Sequence, residues 1–548
     1  MISKMRLSPL VVGLGVAVIM AFLFAGSVGA WEGTSTSQPR SSSASPQQAA
    51  VGSAGNSITL EQPPLCRYGV SAWGAEQLSW LPTWRAGWTF DFGAHAPVSG
   101  VAAEFAQVIF IRQRKTGCYY LDGYMVAPAL TEDGLGAIIR AAPGSLWLVG
   151  NEVDRGPDPG NCLNRIQGDT YPEFYAQAYH DVYAFIKQHD PTAQVANAGL
   201  VQITPGRLQY LDKVWQAYQQ RYGQPMPVDV WNMHLYILPE AHSDGTPNAA
   251  ANIAMGTDPA LAMRESNGTS AQCSQPHAQV YCWADHDNLT VFAQQVVAMR
   301  TWMKNHSQQN KPLIISEYSL LYPYEIDPEG CYLRDEFGNC FTPQRVSAFM
   351  SNTFNYLETT ADPALGYPLD GNRLVQRWMW FSVYNGANGA GSSSNLLTPE
   401  GNALTLVGDH FKNDVAARAS TINLFPGQVG GSPGHTGTPG GTATVNLYAQ
   451  VLNGGSTATG TAFTVTFYAD QALTQVIGSE VVSGAVSGCV IRPLTAHTTW
   501  SNLPVGTHRY WVKIDSASNI AETNEGDNIG TGTVVVSIYA TNLPLVFR

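Results

Sequence analysis

Positive charge is scarce in this chain. Lysine and arginine supply only 29 of its 548 residues, against 41 aspartates and glutamates, and the formal net charge is −12 at pH 7. Nucleic acid is held by clustered lysines and arginines that displace counterions, so an acidic, charge-poor chain speaks against such a partner. Cysteine is also sparse, at eight residues. None falls in a Cys-x-x-Cys or Cys/His spacing that would hold zinc, so neither a metal nor a cofactor is expected. The closing Leu543-Pro544-Leu545-Val546-Phe547-Arg548 is too short to span a bilayer. Aromatic side chains, by contrast, are plentiful, with 14 Trp and 24 Tyr. They suit a neutral partner held by stacking on ring faces.

The N-terminus opens on Met1-Ile2-Ser3-Lys4-Met5-Arg6, continues as an apolar run from Leu7 to about Ala25, and closes on Val28-Gly29-Ala30. A basic start, an apolar middle and small residues at the end make 1–30 a secretory signal with cleavage after Ala30. The run also has the length of an uncleaved anchor, which would associate the chain with a membrane or cell surface. Either way the bulk of the chain is expected to be secreted or on the cell surface, as a monomer. Oxidised cysteines agree with that destination. Cys273 and Cys282 are nine apart, as are Cys331 and Cys340, each pair inside a Gly/Asp/Asn-rich insertion, and both read as loop-pinning disulfides. Cys118 and Cys162 offer a third, while Cys66 and Cys489 have no evident partner.

Length alone implies a large domain plus an accessory module. Residues 31–57 are Ser, Thr, Gln, Ala, Gly and Pro and read as a disordered linker, and 424–442 read as a second, Gly/Pro-rich one. Between them, residues 58–423 alternate. Strand-like runs occur at 68–73, 86–92, 104–113, 145–152, 193–201, 228–237, 311–319 and 377–385. Helical patterns separate most of them, at 206–221, 288–306, 342–360 and 400–418, and are poorly marked after the first strands. The clearest start is Thr170-Tyr171-Pro172-Glu173, a capping box with Pro in the first turn, followed by apolar residues at helical spacing up to Asp190-Pro191. Eight strands interleaved with helices predict an α/β fold, a (β/α)8 TIM barrel. Residues 443–537 change character to alternating strands with Gly/Asn/Ser turns, an all-β immunoglobulin-like sandwich, and 538–548 form a tail.

Two apolar runs end abruptly in glutamate: Leu148-Val149-Gly150-Asn151-Glu152 and, 165 positions on, Leu313-Ile314-Ile315-Ser316-Glu317. A carboxylate at the edge of a core is penalised by several kcal/mol unless it is compensated, so two of them, on strands four and seven, point to a purpose. At the mouth of a barrel they would face each other. A pair of carboxyls flanking a bond is the equipment for glycoside cleavage, one protonating the leaving oxygen and the other attacking. On strand six, alternation puts Trp231, Met233 and Leu235 outward and Val230, Asn232, His234 and Tyr236 inward. On strand eight it is taken to put Met379, Phe381 and Val383 outward and Trp378, Trp380, Ser382 and Tyr384 inward. Trp73, Trp88, Trp380, Tyr322 and Tyr324 are candidates for sugar stacking. The bland reading of Glu152 is a capping or salt-bridged carboxylate partnered by Arg155, and that of His234 a satisfied core histidine.

Gly150-Asn151-Glu152 and Ile315-Ser316-Glu317-Tyr318 resemble the strand-four Asn-Glu and strand-seven Glu of clan A glycoside hydrolases, which are retaining (β/α)8 enzymes. Asn151-Glu152-Val153-Asp154 is similar to the Asn-Glu-Pro-Asp of the catalytic-core families that include β-1,3-glucanases. The resemblance, over roughly residues 66–418, implies Glu152 as acid/base, Glu317 as nucleophile and Asn151 as donor to a sugar hydroxyl. Asn232, His234, Tyr236, Trp380 and Trp73 would bind a carbohydrate substrate. On that reading Glu152 is the carboxyl held protonated, its pKa raised by Glu317 and burial. Many clan members carry an Arg at the end of strand two, where this chain has Thr89-Phe90-Asp91-Phe92, with Arg112 on strand three as a stand-in. Asp515 to Asn528 resembles the closing signature of the cell-adhesion-related domain common in exported bacterial proteins, and its oxygens suit either calcium or solvated turns. Two rivals to hydrolysis are a non-catalytic glycan-binding or adhesion protein, and a scaffold presenting the loops 238–287 and 321–341 to a protein.

Overall fold

The structure, a computed structural model, describes residues 62–165, 167–265, 284–321, 342–386 and 391–538. The signal, the first linker, the cysteines at 273, 282, 331 and 340, Tyr322, Tyr324 and the end of the tail lie outside the described residues. Strands β1 (Leu65–Val70), β2 (Ala86–Thr89), β3 (Glu104–Phe105), β4 (Gln107–Thr116), β5 (Tyr119–Ala127), β6 (Leu146–Asn151), β7 (Gln194–Gly199), β8 (Trp231–His234), β9 (Leu313–Tyr318) and β10 (Arg377–Trp380) make two sheets. One has the order β3-β2-β1-β10-β9-β8 and the other β5-β4-β6-β7. Every pairing is parallel except that of β5, which folds back on β4 as a hairpin. Each of the eight expected strands overlaps one of these, with β3 and β4 sharing the third. The β5 hairpin was not foreseen.

Hydrogen bonds link the two sheets at both margins. On one side Ala106, between β3 and β4, donates to Thr89 O at 2.8 Å. On the other, Ala196 bridges Val230 in parallel sense, and the Asn197 side chain grips β8: Asn232 N donates to its Oδ1 at 2.8 Å and its Nδ2 donates to Asn232 O at 2.9 Å.

Helices α1 (Gly74–Leu78) and α2 (Ala137–Ala141) are short, whereas α3 (Pro172–His189), α4 (Pro205–Tyr222), α5 (Leu289–Asn305), α6 (Pro343–Thr359) and α7 (Leu406–Ala416) follow the predicted periodicities closely. Pro at the first position starts α3, α4 and α6, where its missing N–H is no loss. The capping box does not form. Tyr171 is the N-cap of α3 without a side-chain bond, because the Thr170 hydroxyl is already engaged with Gly168 O and Gln113 N.

Two buried apolar layers fix which way each strand faces. Trp231 packs on Trp215 of α4 and Trp302 of α5, with ring centroids 6.3 and 5.0 Å apart, so the outward set on β8 is as alternation predicts. Val230, Ile314, Met379, Leu146, Leu148 and Ala196 share the opposite, inner cluster. Strand β10 therefore faces the other way from the expectation: Met379 is inward, and Trp378 and Trp380 lie against Phe354 of α6. Both faces of β10 are apolar, so alternation had no polar side to register on.

After α7 the chain forms β11 (Leu424–Gly431), β12 (Gly434–His435), β13 (Thr442–Asn453), β14 (Phe463–Tyr468), β15 (Val476–Val482), β16 (Leu494–Pro504), β17 (Gly506–Lys513) and β18 (Ile529–Ser537). They stack as a three-stranded sheet, β11-β13-β16, on a five-stranded one, β12-β18-β17-β14-β15. The stretch 424–442 is thus no linker. Its glycines mask two strands, β11 pairing antiparallel with β13 and β12 running parallel to β18.

Nor does the sandwich hang loose. Cys66 of β1 forms a disulfide with Cys489, 423 residues away, and Cys66 N donates to Ser456 O at 2.8 Å. Cys489 and Ile491 belong to the same inner cluster as the sheet residues above, and Arg492 adds an ion pair to Glu104, itself paired with Arg377. Cys118 and Cys162 pair as expected. Replacing both Cys66 and Cys489 by alanine should lower stability by about 2–5 kcal/mol, read as a fall in the denaturant midpoint. An unchanged midpoint would show that the bond is dispensable to the interface.

Candidate active site

The strands bring Glu152, His234 and Glu317 together. One ligand-capable atom from each lies within 4.8 Å of the others, and all three residues are buried. Each of the two glutamates is positioned by a local irregularity. On β9, both neighbours skip one residue: Met233 and His234 of β8 register with Ile315 and Glu317, and Trp378 and Trp380 of β10 with Ile315 and Tyr318. This bulge at Ser316 reverses the alternation. Ile314 faces inward and Ile315 outward, and Glu317 then turns inward instead of into the helices. Glu152 has φ 41°, in the left-handed region, just past the end of β6, and its N–H donates to Gly199 O at 2.9 Å. Gly199 is obligatory for a different reason: a Cβ there would lie 2.2 Å from the His234 ring.

His234 Nδ1 stands 3.2 Å from Glu152 Oε1 and 3.7 Å from Glu317 Oε2, while the Tyr236 hydroxyl donates to Glu317 Oε1 at 2.6 Å. Arg155 Nη1 is 4.0 Å from Glu152 Oε2, and Arg155 is itself fixed by the Ala249 and Ala250 carbonyls. The salt-bridge partner named in the bland reading is therefore present, but as one member of a larger group. Behind it, Arg207 of α4 ties Asp154 to Glu240 and to the Ala251 and Asn252 carbonyls, all away from water. That network anchors the turn after Glu152. Sequence reasoning missed Arg207 and Glu240, although Glu240 closes the apolar run Leu235-Tyr236-Ile237-Leu238-Pro239 and so carried the same signal as the two glutamates above.

The electrostatics reverse one expectation. Burial, reinforced by the Glu152 charge, pushes Glu317 up to about 7 against the opposing pull of His234 and Tyr236. Burial acts on Glu152 in the same sense but is outweighed by the nearer His234, with help from Arg155 and Arg207, and its pKa is lowered. The raised carboxyl is therefore Glu317 rather than Glu152. His234, despite burial, is raised by the two glutamates.

The remaining expected residues divide. Asn151 is buried at the end of β6, with Nδ2 donating to Gln167 Oε1 at 2.9 Å. Asn232 is bound up with Asn197 at the β7–β8 margin, below His234. Trp380 lies in the helix-facing layer, its Nε1 donating to Ser394 O at 2.9 Å, and is not part of the inner face. Trp73 is partly exposed and stacks on Phe92, with Phe381 edge-on to both. Phe381, expected outward on strand eight, and Phe92, just past β2, thus form one aromatic cluster with Trp73. Trp88 is buried in the inner cluster. Arg112 reaches Arg165 O at 3.4 Å and lies over the Phe110 ring. The two carboxylates and the imidazole would also suit a divalent cation by donor type.

A carboxyl whose folded pKa is about 7 against an ordinary 4.5 binds more protons folded than unfolded between those values, so stability falls as pH rises through that window. Glu317→Gln removes the titrating group. Relative to this variant, the wild-type protein is expected to lose stability between pH 4.5 and pH 7 in urea unfolding. Parallel pH profiles for the two proteins would contradict the assignment.

No curated protein matches the chain. Among solved structures, an endo-β-1,3-glucanase of family GH128 (subgroup II) from Sorangium cellulosum aligns over 64% of this chain and 98% of its own, at 14% identity and a TM-score of 0.36. A glucosidase from Croceicoccus marinus aligns over 80% and 94%, at 11% identity and 0.40. The CARDB domain of a Pyrococcus furiosus protein, solved with di-metal ions, covers 22% of this chain and 100% of its own, at 18% identity and 0.17. Residues 434–532 match the CARDB family model, and this part of the chain is a CARDB domain.

Proposed function

We propose that the protein is a retaining glycoside hydrolase whose two sheets act as one (β/α)8 barrel, with Glu152 as acid/base and Glu317 as nucleophile. The observation that carries this is the spacing: carboxylate oxygens from the two strand ends lie within 4.8 Å of each other. Retaining enzymes hold their carboxyls about 5–5.5 Å apart, whereas inverting ones leave about 6.5–9.5 Å for a water. In the first step Glu317 attacks the anomeric carbon as Glu152 protonates the departing oxygen. In the second, Glu152 takes a proton from water, which displaces Glu317 and restores the starting configuration.

The proton for Glu152 has a place to rest. With His234 cationic and Glu152 anionic, moving one proton along their 3.2 Å hydrogen bond leaves a neutral imidazole and a protonated acid. Glu317, raised to about 7, ionises in the neutral range, and the Tyr236 hydroxyl supports its anion. The substrate class is a β-linked poly- or oligosaccharide, with Asn151 and Trp73 as binding residues. Export is supported by the signal-like N-terminus and by two disulfides, Cys66–Cys489 and Cys118–Cys162.

A panel of soluble β-1,3-, β-1,4- and β-1,6-glucans and aryl β-glycosides, read for released sugar and anomeric configuration, tests the reading. Glu317→Gln and Glu152→Ala should each lower kcat on the cleaved substrate by at least about 100-fold. Wild-type-like turnover in either would remove that residue from the mechanism, and an inverted product would refute double displacement. Dialysis against EDTA is expected to leave turnover unchanged. Loss on chelation and recovery with a divalent cation would instead make the three-residue group a metal centre.

A further inference from the structure

The hairpin of β4 and β5 has two unlike faces. One packs down: Tyr120 lies edge-on to Tyr171 and bonds Asp169, Tyr124 bonds Asp181 of α3, and Lys115 and Arg165 close on the buried Asp169. The opposite face is open, with apolar side chains on β5 beside Arg112 and Arg114 on β4. Tyr119 is 78% exposed, Leu121 44% and Met125 50%. Cross-strand register pairs Met125 with Arg112 and Tyr119 with Thr116, which puts these residues on the even-numbered face of β4. That is the face which, lower on the same strand, supplies Val108 to the inner cluster, next to Ala106 just before the strand.

The open face therefore continues the inner wall upward beyond the sheet. Val108 and Ile109 register with Leu148 and Val149 of β6, and three more residues bring Arg112 level with Glu152. From Arg112 to Thr116 the strand rises a further ~13 Å. Its tip is not free to swing, because Cys118 is bonded to Cys162 in the loop after Glu152 and Lys115 Nζ donates to Cys162 O at 3.0 Å. Contiguous apolar side chains left exposed on a folded surface mark interaction sites and ligand-binding grooves.

We infer that this face is a binding wall for the distal units of a glycan chain whose scissile bond lies between Glu152 and Glu317. The inference rests on the hydrolase reading above and adds the requirement for a substrate longer than one ring. Pyranose rings present flat C–H faces that suit Tyr119, Leu121 and Met125, with hydroxyl rims for the neighbouring Arg112 and Arg114. Binding energy collected so far from the reacting centre favours the polymer over a short substrate.

The test compares kcat/KM on the soluble β-glucan cleaved fastest in the panel with kcat/KM on an aryl β-glucoside, for the full chain carrying Tyr119→Thr, Leu121→Thr and Met125→Thr. Threonine keeps the strand preference while removing the apolar surface. The polymer-to-aryl ratio is expected to fall about tenfold. The control Val476→Thr with Val481→Thr, exposed at 61% and 62% on the sandwich, should leave the ratio unchanged. A hairpin variant whose ratio matches that control overturns the wall while leaving the glutamate reading intact. A wild-type protein inert to both substrates overturns the glutamate reading, and the wall with it. If the triple variant does not fold by circular dichroism, Tyr119→Thr alone serves the same comparison.

Discussion

Two carboxylates cannot share a small volume away from water unless something balances their charge. Much of the upper end of the sheets is arranged around that requirement. His234 stands between the two, Tyr236 donates to one, and Arg155 approaches the other. Each compensator needs its own support. His234 fits because position 199 has no side chain to collide with it, and the turn holding Arg155 is clamped by Arg207 across Asp154 and Glu240. Removing any one of these would not merely weaken a contact. It would leave a charge stranded in a low-dielectric site, where the penalty is several times that of a lost surface pair.

The placement of Glu317 illustrates how closely backbone irregularity and chemistry are joined. A regular β9 would send it into the helical layer with Ile315. One extra residue at Ser316, skipped by both flanking strands, rotates it to the inside. On β6 the corresponding device is the left-handed backbone of Glu152 itself. Departures of this kind gather at functional positions because the surrounding sheet over-determines them.

What could be read in the residues follows from where polarity contrasts with its surroundings. Two glutamates closing apolar runs, and an Asn-x-His-x-Tyr face opposite Trp-x-Met-x-Leu, were legible because charge or polarity alternated against hydrophobicity. The long helices were legible for the same reason. Strand eight was not, since Trp378, Met379, Trp380 and Phe381 give no contrast: Trp380 lies in the helix-facing layer and Phe381 against Trp73. Thr170 looked like a cap because local sequence does not reveal that Gln113, 57 residues earlier, claims its hydroxyl. Glycine in 424–442 suggested slack chain, whereas several of these glycines sit where neighbouring side chains and backbone leave no room, Gly431 under Val534 among them. The directions of the carboxyl pKa shifts follow from burial set against unequal contacts with His234, Tyr236, Arg155 and Arg207, a balance that no pattern of residues encodes.

The bond from Cys66 to Cys489 also sets an order of events during synthesis. The ribosome delivers one partner 423 residues ahead of the other, an interval of roughly 20–85 s at about 5–20 residues per second. Over that time the first strand has no thiol partner in its final place, and the underside of the inner cluster is open to water. Cys118, Cys162 and the four cysteines between Cys162 and Cys489 all emerge before Cys489, so an early oxidant meets seven thiols while Cys66 still lacks its partner. Thiol exchange thus becomes part of maturation: any premature bond to Cys66 has to be undone before the last domain can seat.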